Sequence, residues 1–332
     1  MNQRNFRYGI TSLLLIFIAT LSLAQSIKVT LLGTGGPVPS IERFGPSTLV
    51  EAGGQKFLFD CGRGAGQRLW QLKTRLGAVN HLFLTHLHSD HVVGIPDLWL
   101  TGWIPAAYGR RAEPLRVWGP SGTEAMMDGL QQAYTWDITT RSKEMNKSDT
   151  GIRVAATNIR EGVVYEQSGV KITAFTVNHA EFIDSALGYR VDYAGRSVVL
   201  SGDTRYSENL VRYARGADVV IHEVAAASEA SMQNSPLVNQ VLGFHTSPED
   251  AGRVFAQVKP RLAVYSHIIL LTVDPALPPP TLNDLLRRTA STYKGPLQIG
   301  EDLLTIDIGD QVKVSTFTPS ASKPTEGLKA GK

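Results

Sequence analysis

Residues 85–91 read Thr85-His86-Leu87-His88-Ser89-Asp90-His91, which places three imidazoles and a carboxylate within six consecutive positions. The whole chain has eight histidines, so three of the eight fall in this one stretch. The preceding run, His81-Leu82-Phe83-Leu84, reads as a short buried strand, and Gly94 and Pro96 mark a loop leading into a helix. Imidazole nitrogen and carboxylate oxygen are what borderline divalent metals bind, and no packing demand gathers so many donors on one strand-end loop. A metal held here needs further donors from distant segments, and the rest of the chain must deliver them.

Three later segments have the required form. Residues 171–178 alternate as a strand that ends at His179. Ser197-Val198-Val199-Leu200 runs into Ser201-Gly202-Asp203-Thr204, an apolar strand, small residues and a lone carboxylate. Leu262-Ala263-Val264-Tyr265-Ser266 reads as a buried strand ending at His267.

In that order, these segments resemble the metallo-β-lactamase superfamily, whose HxHxDH motif matches residues 86–91. The resemblance implies an α/β fold of αββα type, two mixed β-sheets flanked by helices in a single domain. It assigns His86, His88, His179 and Asp203 to one metal, and Asp90, His91, Asp203 and His267 to a second. The turn Gly33-Thr34-Gly35, the triplet Asp60-Cys61-Gly62 and the turn Gly119-Pro120-Ser121-Gly122 are similar to the ribonuclease Z-like branch. So are His222-Glu223-Val224-Ala225 and Gly243-Phe244-His245-Thr246-Ser247. In that branch the glutamate and the second histidine form a proton-donating pair, which implies Glu223 and His245 here, alongside Asp90 as a catalytic residue. Asp60 reads either as a hydrogen-bond acceptor behind the metal loop or as a turn cap. His222 and His81 read as structural.

The implied chemistry is hydrolysis by a hydroxide bridging two divalent ions. Among the expected ligands there is no thiolate, which makes zinc the first expectation, with manganese or iron open. The glycine-rich turn after residue 32 lacks the Gly-Lys-Ser/Thr ending of a phosphate-cradling P-loop. Cys61 is the only cysteine, and its strand-end setting reads as a buried thiol. It lacks the context of formylglycine-dependent sulfatases, which excludes that class.

Composition is globular, 42% hydrophobic and 19% charged over 332 residues, with no shift marking an internal linker. Arg4 and Arg7 precede the apolar residues 10–24, and Ser22 and Ala24 stand at the −3 and −1 positions of a cleavage site. Residues 1–24 therefore read as a signal peptide, residues 25–318 as the hydrolase domain and residues 319–332 as a disordered polar tail. The apolar stretch falls short of the ~20 residues of a membrane span, so a periplasmic or secreted location is expected over a retained anchor. Without Arg4 and Arg7 the chain has 31 basic against 30 acidic residues, far from the basic excess of a dedicated nucleic-acid binder.

Ribonuclease Z enzymes that mature tRNA carry a long basic arm after the third histidine ligand. Here Leu187-Gly188-Tyr189-Arg190 runs into Gly195-Arg196-Ser197 with no room for one. Charge, export and the missing arm together disfavour nucleic acid as a partner. They point to a small-molecule ester substrate and resemble exported arylsulfatase-like members. The leading expectation is therefore a sulfate ester hydrolase, with a phosphodiesterase or ribonuclease Z-like 3′-tRNA processing activity as the alternative. A β-lactamase or lactonase and a non-enzymatic binding module rank lower, and a homodimer is left open. Trp99 and Trp103 lie on one helix face, read as core packing ahead of an aromatic substrate wall. The polar residues 139–150 are expected to form a loop near the active-site mouth.

Overall fold

The computed structural model describes residues 25–145, 150–180, 183, 186–272 and 278–318. The expected signal peptide and polar tail lie outside the described residues. Strands β1 (Ile27–Gly33), β2 (Ser47–Ala52), β3 (Gln55–Phe59), β4 (His81–Phe83), β5 (Leu115–Gly119) and β6 (Val154–Asn158) belong to a first sheet. The second sheet comprises β7 (Gly162–Gln167), β8 (Val170–Val177), β9 (Ala186–Tyr193), β10 (Arg196–Leu200), β11 (Val219–Ala227), β12 (Leu262–Leu271) and β13 (Leu297–Ile299). The chain then returns to the first sheet with β14 (Thr305–Ile308) and β15 (Val312–Ser315).

Strand order is β15-β14-β1-β2-β3-β4-β5-β6 in one sheet and β13-β12-β11-β10-β9-β8-β7 in the other. Both sheets are mixed: β3 through β6 and β10 through β13 run parallel, while the remaining pairs are antiparallel. The parallel runs explain why β11 and β12 are near-continuous apolar sequences, since both of their faces are covered.

Three apolar clusters define the layers. One, with Val29, Phe57, Phe83, Tyr189, Val198 and Val264, fills the space between the sheets. A second packs helices Glu208–Ala214, Pro248–Val258 and Leu282–Thr289 on the outer face of the second sheet through Leu210, Phe255 and Leu285. A third packs Ala65–Gln71 and Thr123–Ala133 on the first sheet through Leu69 and Met127. This is the expected helix–sheet–sheet–helix order, two mixed sheets flanked by helices in one α/β domain.

Two expectations need correcting. Of the loop expected over residues 139–150, residues 139–144 are helical, as part of Thr135–Glu144, because Ile138 packs on the third cluster and Arg141 pairs with Asp137 one turn earlier at 2.8 Å; residues 146–149 lie outside the described residues. β12 does not end before His267 but continues to Leu271. Its register with β11 shifts between the Ser266–Glu223 and Ile268–Val224 pairs, so His267 is a one-residue bulge. His267 has φ 44°, a left-handed conformation that turns its side chain out of the ladder.

Trp99 and Trp103 are fully buried, as core packing requires, and Trp99 Nε1 donates to Ile152 O at 2.8 Å. The Asp97–Thr101 segment carrying Trp99 is a π-helical turn. Arg111, only 1% exposed, donates to the carbonyls of Leu76, Val79, Leu98 and Trp99 at 3.0–3.3 Å. Cys61 is buried, and burial, with Asp97 and Asp60 nearby, pushes its thiol far above the ordinary range.

Glu161 ties β8 to helix Glu208–Ala214, the helix after the Asp203 loop. Its carboxylate accepts from Thr176 N and Oγ1, Asn209 Nδ2, Arg212 Nη2 and Tyr213 Oη at 2.8–3.0 Å. Led by the Thr176 N–H, these donors lower its pKa from 4.5 to about 2. A depressed carboxylate contributes stability above its unfolded pKa and loses it as pH falls through the folded value. Glu161→Gln should therefore flatten the fall in stability between pH 4.5 and about 2, read by urea unfolding at a series of pH values.

Candidate metal centre

The donors gather where the strand ends of the two sheets meet. The metal loop leaves β4 at Leu84, whose carbonyl accepts from Tyr189 Oη of the opposite sheet at 2.6 Å. Leu187 N donates to Thr85 O at 2.8 Å, a second link between the sheets. Asp203 sits on the turn after β10. There Gly202 takes φ +60°, and an added Cβ would stand 2.5 Å from Leu187 O, so only glycine fits. His179 follows β8, and the β12 bulge presents His267.

All seven expected ligands converge. His86 Nε2 lies 3.0 Å and His179 Nε2 3.3 Å from His88 Nδ1. His267 Nε2 is 3.4 Å from Asp90 Oδ2, and His91 Nε2 is 3.7 Å from the same oxygen. Asp203 Oδ2 stands between the sets, 3.3 Å from His267, 3.4 Å from His91 and 3.8 Å from both His86 and His179. The triads His86–His88–His179, His86–His91–Asp203 and Asp90–His91–His267 each hold their ligand atoms within 4.8 Å.

These residues fit a pair of divalent cations. Metal–nitrogen bonds of 2.0–2.1 Å in a tetrahedral site place neighbouring donors about 3.3 Å apart. His91 Nε2 and Asp203 Oδ1 are buried with no hydrogen-bond partner among the described residues.

Hydrogen bonds on the far side of each ring set which nitrogen faces inward. Asp60 Oδ2 accepts from His91 Nδ1 at 2.8 Å and from Thr85 Oγ1 at 2.9 Å, while Asp60 Oδ1 accepts from Thr85 N at 2.8 Å. Thr85 Oγ1, its proton directed to Asp60, is left to accept from His86 Nδ1 at 3.0 Å. His179 Nδ1 donates to Phe244 O at 2.9 Å. Of the two readings open for Asp60, the geometry selects the acceptor behind the metal loop. The sequence reading missed Thr85: its position beside His86 was visible, but its bond to Asp60 joins residues 25 apart.

The charges agree with this arrangement. Burial is the largest cause lowering His86, His88 and His179, which keeps them neutral, the form that binds metal. Burial opposes ionisation of Asp203, but His267 and His91 outweigh it and hold the carboxyl well below its usual range. Burial would lower His91 too, yet Asp203 and Asp60 drive it well above its usual range, so to act as a ligand His91 would give up that proton when a metal binds.

Beside this centre, His245 Nδ1 is 3.4 Å from Glu223 Oε1 and 4.0 Å from Asp203 Oδ2. Burial lowers the imidazole, but the Glu223 carboxylate prevails and raises it to about 9. His222 points away from the donors, with Nδ1 donating to Glu223 O at 2.7 Å and its ring edge-on to Phe255. His81 stacks on Trp118 with centroids 5.8 Å apart. Both are structural, as expected.

A fold of this kind with a two-metal donor set defines a class, the metallo-β-lactamase-fold hydrolases. The sequence profile of the Beta-lactamase superfamily domain matches residues 55–268, and the chain belongs to that family, with ribonuclease Z-like homologues. A protein named ribonuclease Z from Mycolicibacterium gilvum is 32% identical over 282 residues, covering 85% of this chain and 96% of the relative. Human tRNase Z, short form, superposes with TM-score 0.61 at 20% identity, covering 85% of this chain and 99% of the other. The metallo-beta-lactamase fold protein YhfI from Bacillus subtilis gives TM-score 0.66 at 16% identity, covering 85% and 99%.

These names overturn the expectation that disfavoured nucleic acid as a partner. Net charge sums every surface of a chain, whereas a metal centre and a few local cations suffice to meet a phosphate backbone. Arg63 and Arg205 are exposed beside the Asp60 and Asp203 loops, and a whole-chain sum does not register them.

Proposed function

We propose that this protein is a dinuclear metal-dependent phosphodiesterase of ribonuclease Z type, cleaving a phosphodiester of RNA in the manner of 3′-tRNA processing. The observation that carries the proposal is the pairing of two donor sets through Asp203, with a buried Glu223 against a half-buried His245 alongside. When bound, the two ions, zinc by preference, would activate water and offset the charge that develops on the phosphate. His86, His88 and His179 would hold one ion and Asp90, His91 and His267 the other, with Asp203 shared. His245, kept protonated near neutral pH by Glu223, is placed to give its proton to the departing ribose oxygen. The relatives named for ribonuclease activity support RNA as the substrate.

A second reading, a hydrolase of small sulfate esters, draws on one observation. β9 and β10 join through a two-residue turn at Ala194 and Gly195, both left-handed, and no arm extends from it. Purified, metal-loaded protein should be offered a 3′-extended tRNA, bis-p-nitrophenyl phosphate and p-nitrophenyl sulfate. Cleavage of the RNA and the phosphate diester with no sulfate release supports the first reading; sulfate release with inert diesters replaces it with the second. His245→Ala should slow RNA cleavage by roughly 100-fold while sparing the p-nitrophenyl diester, whose leaving group needs no proton. Equal losses on both substrates would assign His245 a structural role.

A further inference from the structure

Glu223 stands in mid-strand on β11, 2% exposed, and two backbone donors hold one of its oxygens. Oε1 accepts from Thr246 N at 2.8 Å and from Thr204 N at 3.3 Å, and the same oxygen faces His245 Nδ1. Oε2 is buried with no hydrogen-bond partner among the described residues, so the carboxylate is aimed from one side only. The two donors come from different loops, one carrying Asp203 and the other carrying His245. What keeps the loops in step is a side chain. Thr246 Oγ1, fully buried, donates to Thr204 O at 2.5 Å. Thr246 O in turn accepts from Ala225 N at 2.9 Å, fixing the His245 loop to β11. Thr204 Oγ1 donates to Arg205 O at 2.6 Å, and Asn178 N, beside His179, donates back to Thr204 Oγ1 at 3.2 Å.

A buried hydroxyl that joins two loops at one carbonyl makes their separation a fixed quantity. Removing it leaves Thr204 O short of a donor and frees the loops to drift apart. We propose that the Thr246 hydroxyl is a positioning group, which registers the His245 loop against the Asp203 loop and so keeps Glu223 Oε1 trained on His245. The effect on the rate is read through His245, and to that extent rests on the function proposed above.

The test compares Thr246→Val, which keeps the shape and loses the hydroxyl, with Thr246→Ser, which keeps the hydroxyl. Relative to bis-p-nitrophenyl phosphate, kcat for a 3′-extended tRNA should fall about tenfold in the valine variant and recover to within about twofold in the serine variant, with KM unmoved. A crystal structure of Thr246→Val should show Glu223 Oε1 and His245 Nδ1 further apart than their present 3.4 Å. Unchanged separation and an unchanged rate ratio overturn the proposal. So does an equal loss on both substrates with a lowered Tm, which marks a merely structural threonine. If the unaltered protein cleaves neither diester, the proposed function fails while the crystallographic comparison still decides the positioning role.

Discussion

Asp203→Ala is expected to lose hydrolytic activity and one bound ion together. Among the described residues its Oδ2 is the one carboxylate oxygen within 3.8 Å of histidines from both donor sets, and alanine removes the group that stands between those rings. Turnover of bis-p-nitrophenyl phosphate should drop by roughly a thousandfold or more. Elemental analysis by mass spectrometry should show bound metal falling from two ions per chain to one or fewer. Full metal content with near-normal turnover would show that Asp203 bridges nothing. The fold should persist, because among the described residues the carboxylate makes no hydrogen bond to a strand, and an unchanged far-UV spectrum checks this.

The second large effect concerns stability. Arg111 is a buried cation that forms no ion pair with a carboxylate among the described residues, held by four main-chain carbonyls. Two of them, on Leu98 and Trp99, belong to the π-helical turn, where i→i+5 bonding loosens the usual ladder and leaves carbonyls in need of donors. Burial, eased by Cys61, lowers the guanidinium to about 10, so it remains charged at neutral pH. Arg111→Met removes these donors at once and leaves the carbonyls buried. By analogy with stripping one partner from a buried ionic group, the loss should be about 3–5 kcal/mol. For a domain of this size that lowers Tm by roughly 10 °C, measurable by calorimetry. Arg111→Lys should recover little, because one ammonium cannot reach carbonyls on two different segments. A Tm within a degree or two of the parent would show that water satisfies those carbonyls instead.

Much of the centre was legible because its donors obey a local rule. His86, His88, Asp90 and His91 are adjacent, and Asp203 and His179 each follow an apolar strand that announces its own end. The double-layer architecture came from the family resemblance that these segments carry, not from the strand ends themselves. The legible part stops where a residue's role depends on a partner far along the chain. Thr246 bonds to a carbonyl 42 residues away, and Thr85 to a carboxylate 25 residues away, so neither differs in sequence from an ordinary threonine. Arg111 was invisible for a different reason: arginine in a polar stretch reads as surface, and only the π turn gives it a reason to be inside. Residues 139–144 read as loop because their composition is polar, and the one apolar residue that packs their helix on the core, the half-buried Ile138, lies just before them. RNA was misjudged because whole-chain charge carries no information about where the cations sit.

The bulge at His267 governs where this chain can change length. A strand alternates its faces, so gaining or losing one residue in β12 would return His267 to the ladder and turn its neighbours inside out. The turn at Ala194–Gly195 lies under no such restriction: β9 and β10 are already paired on either side of it, and no donor depends on its length. Extra sequence entering there would enlarge the molecule without moving a single ligand, whereas one residue entering at β12 would dismantle the site.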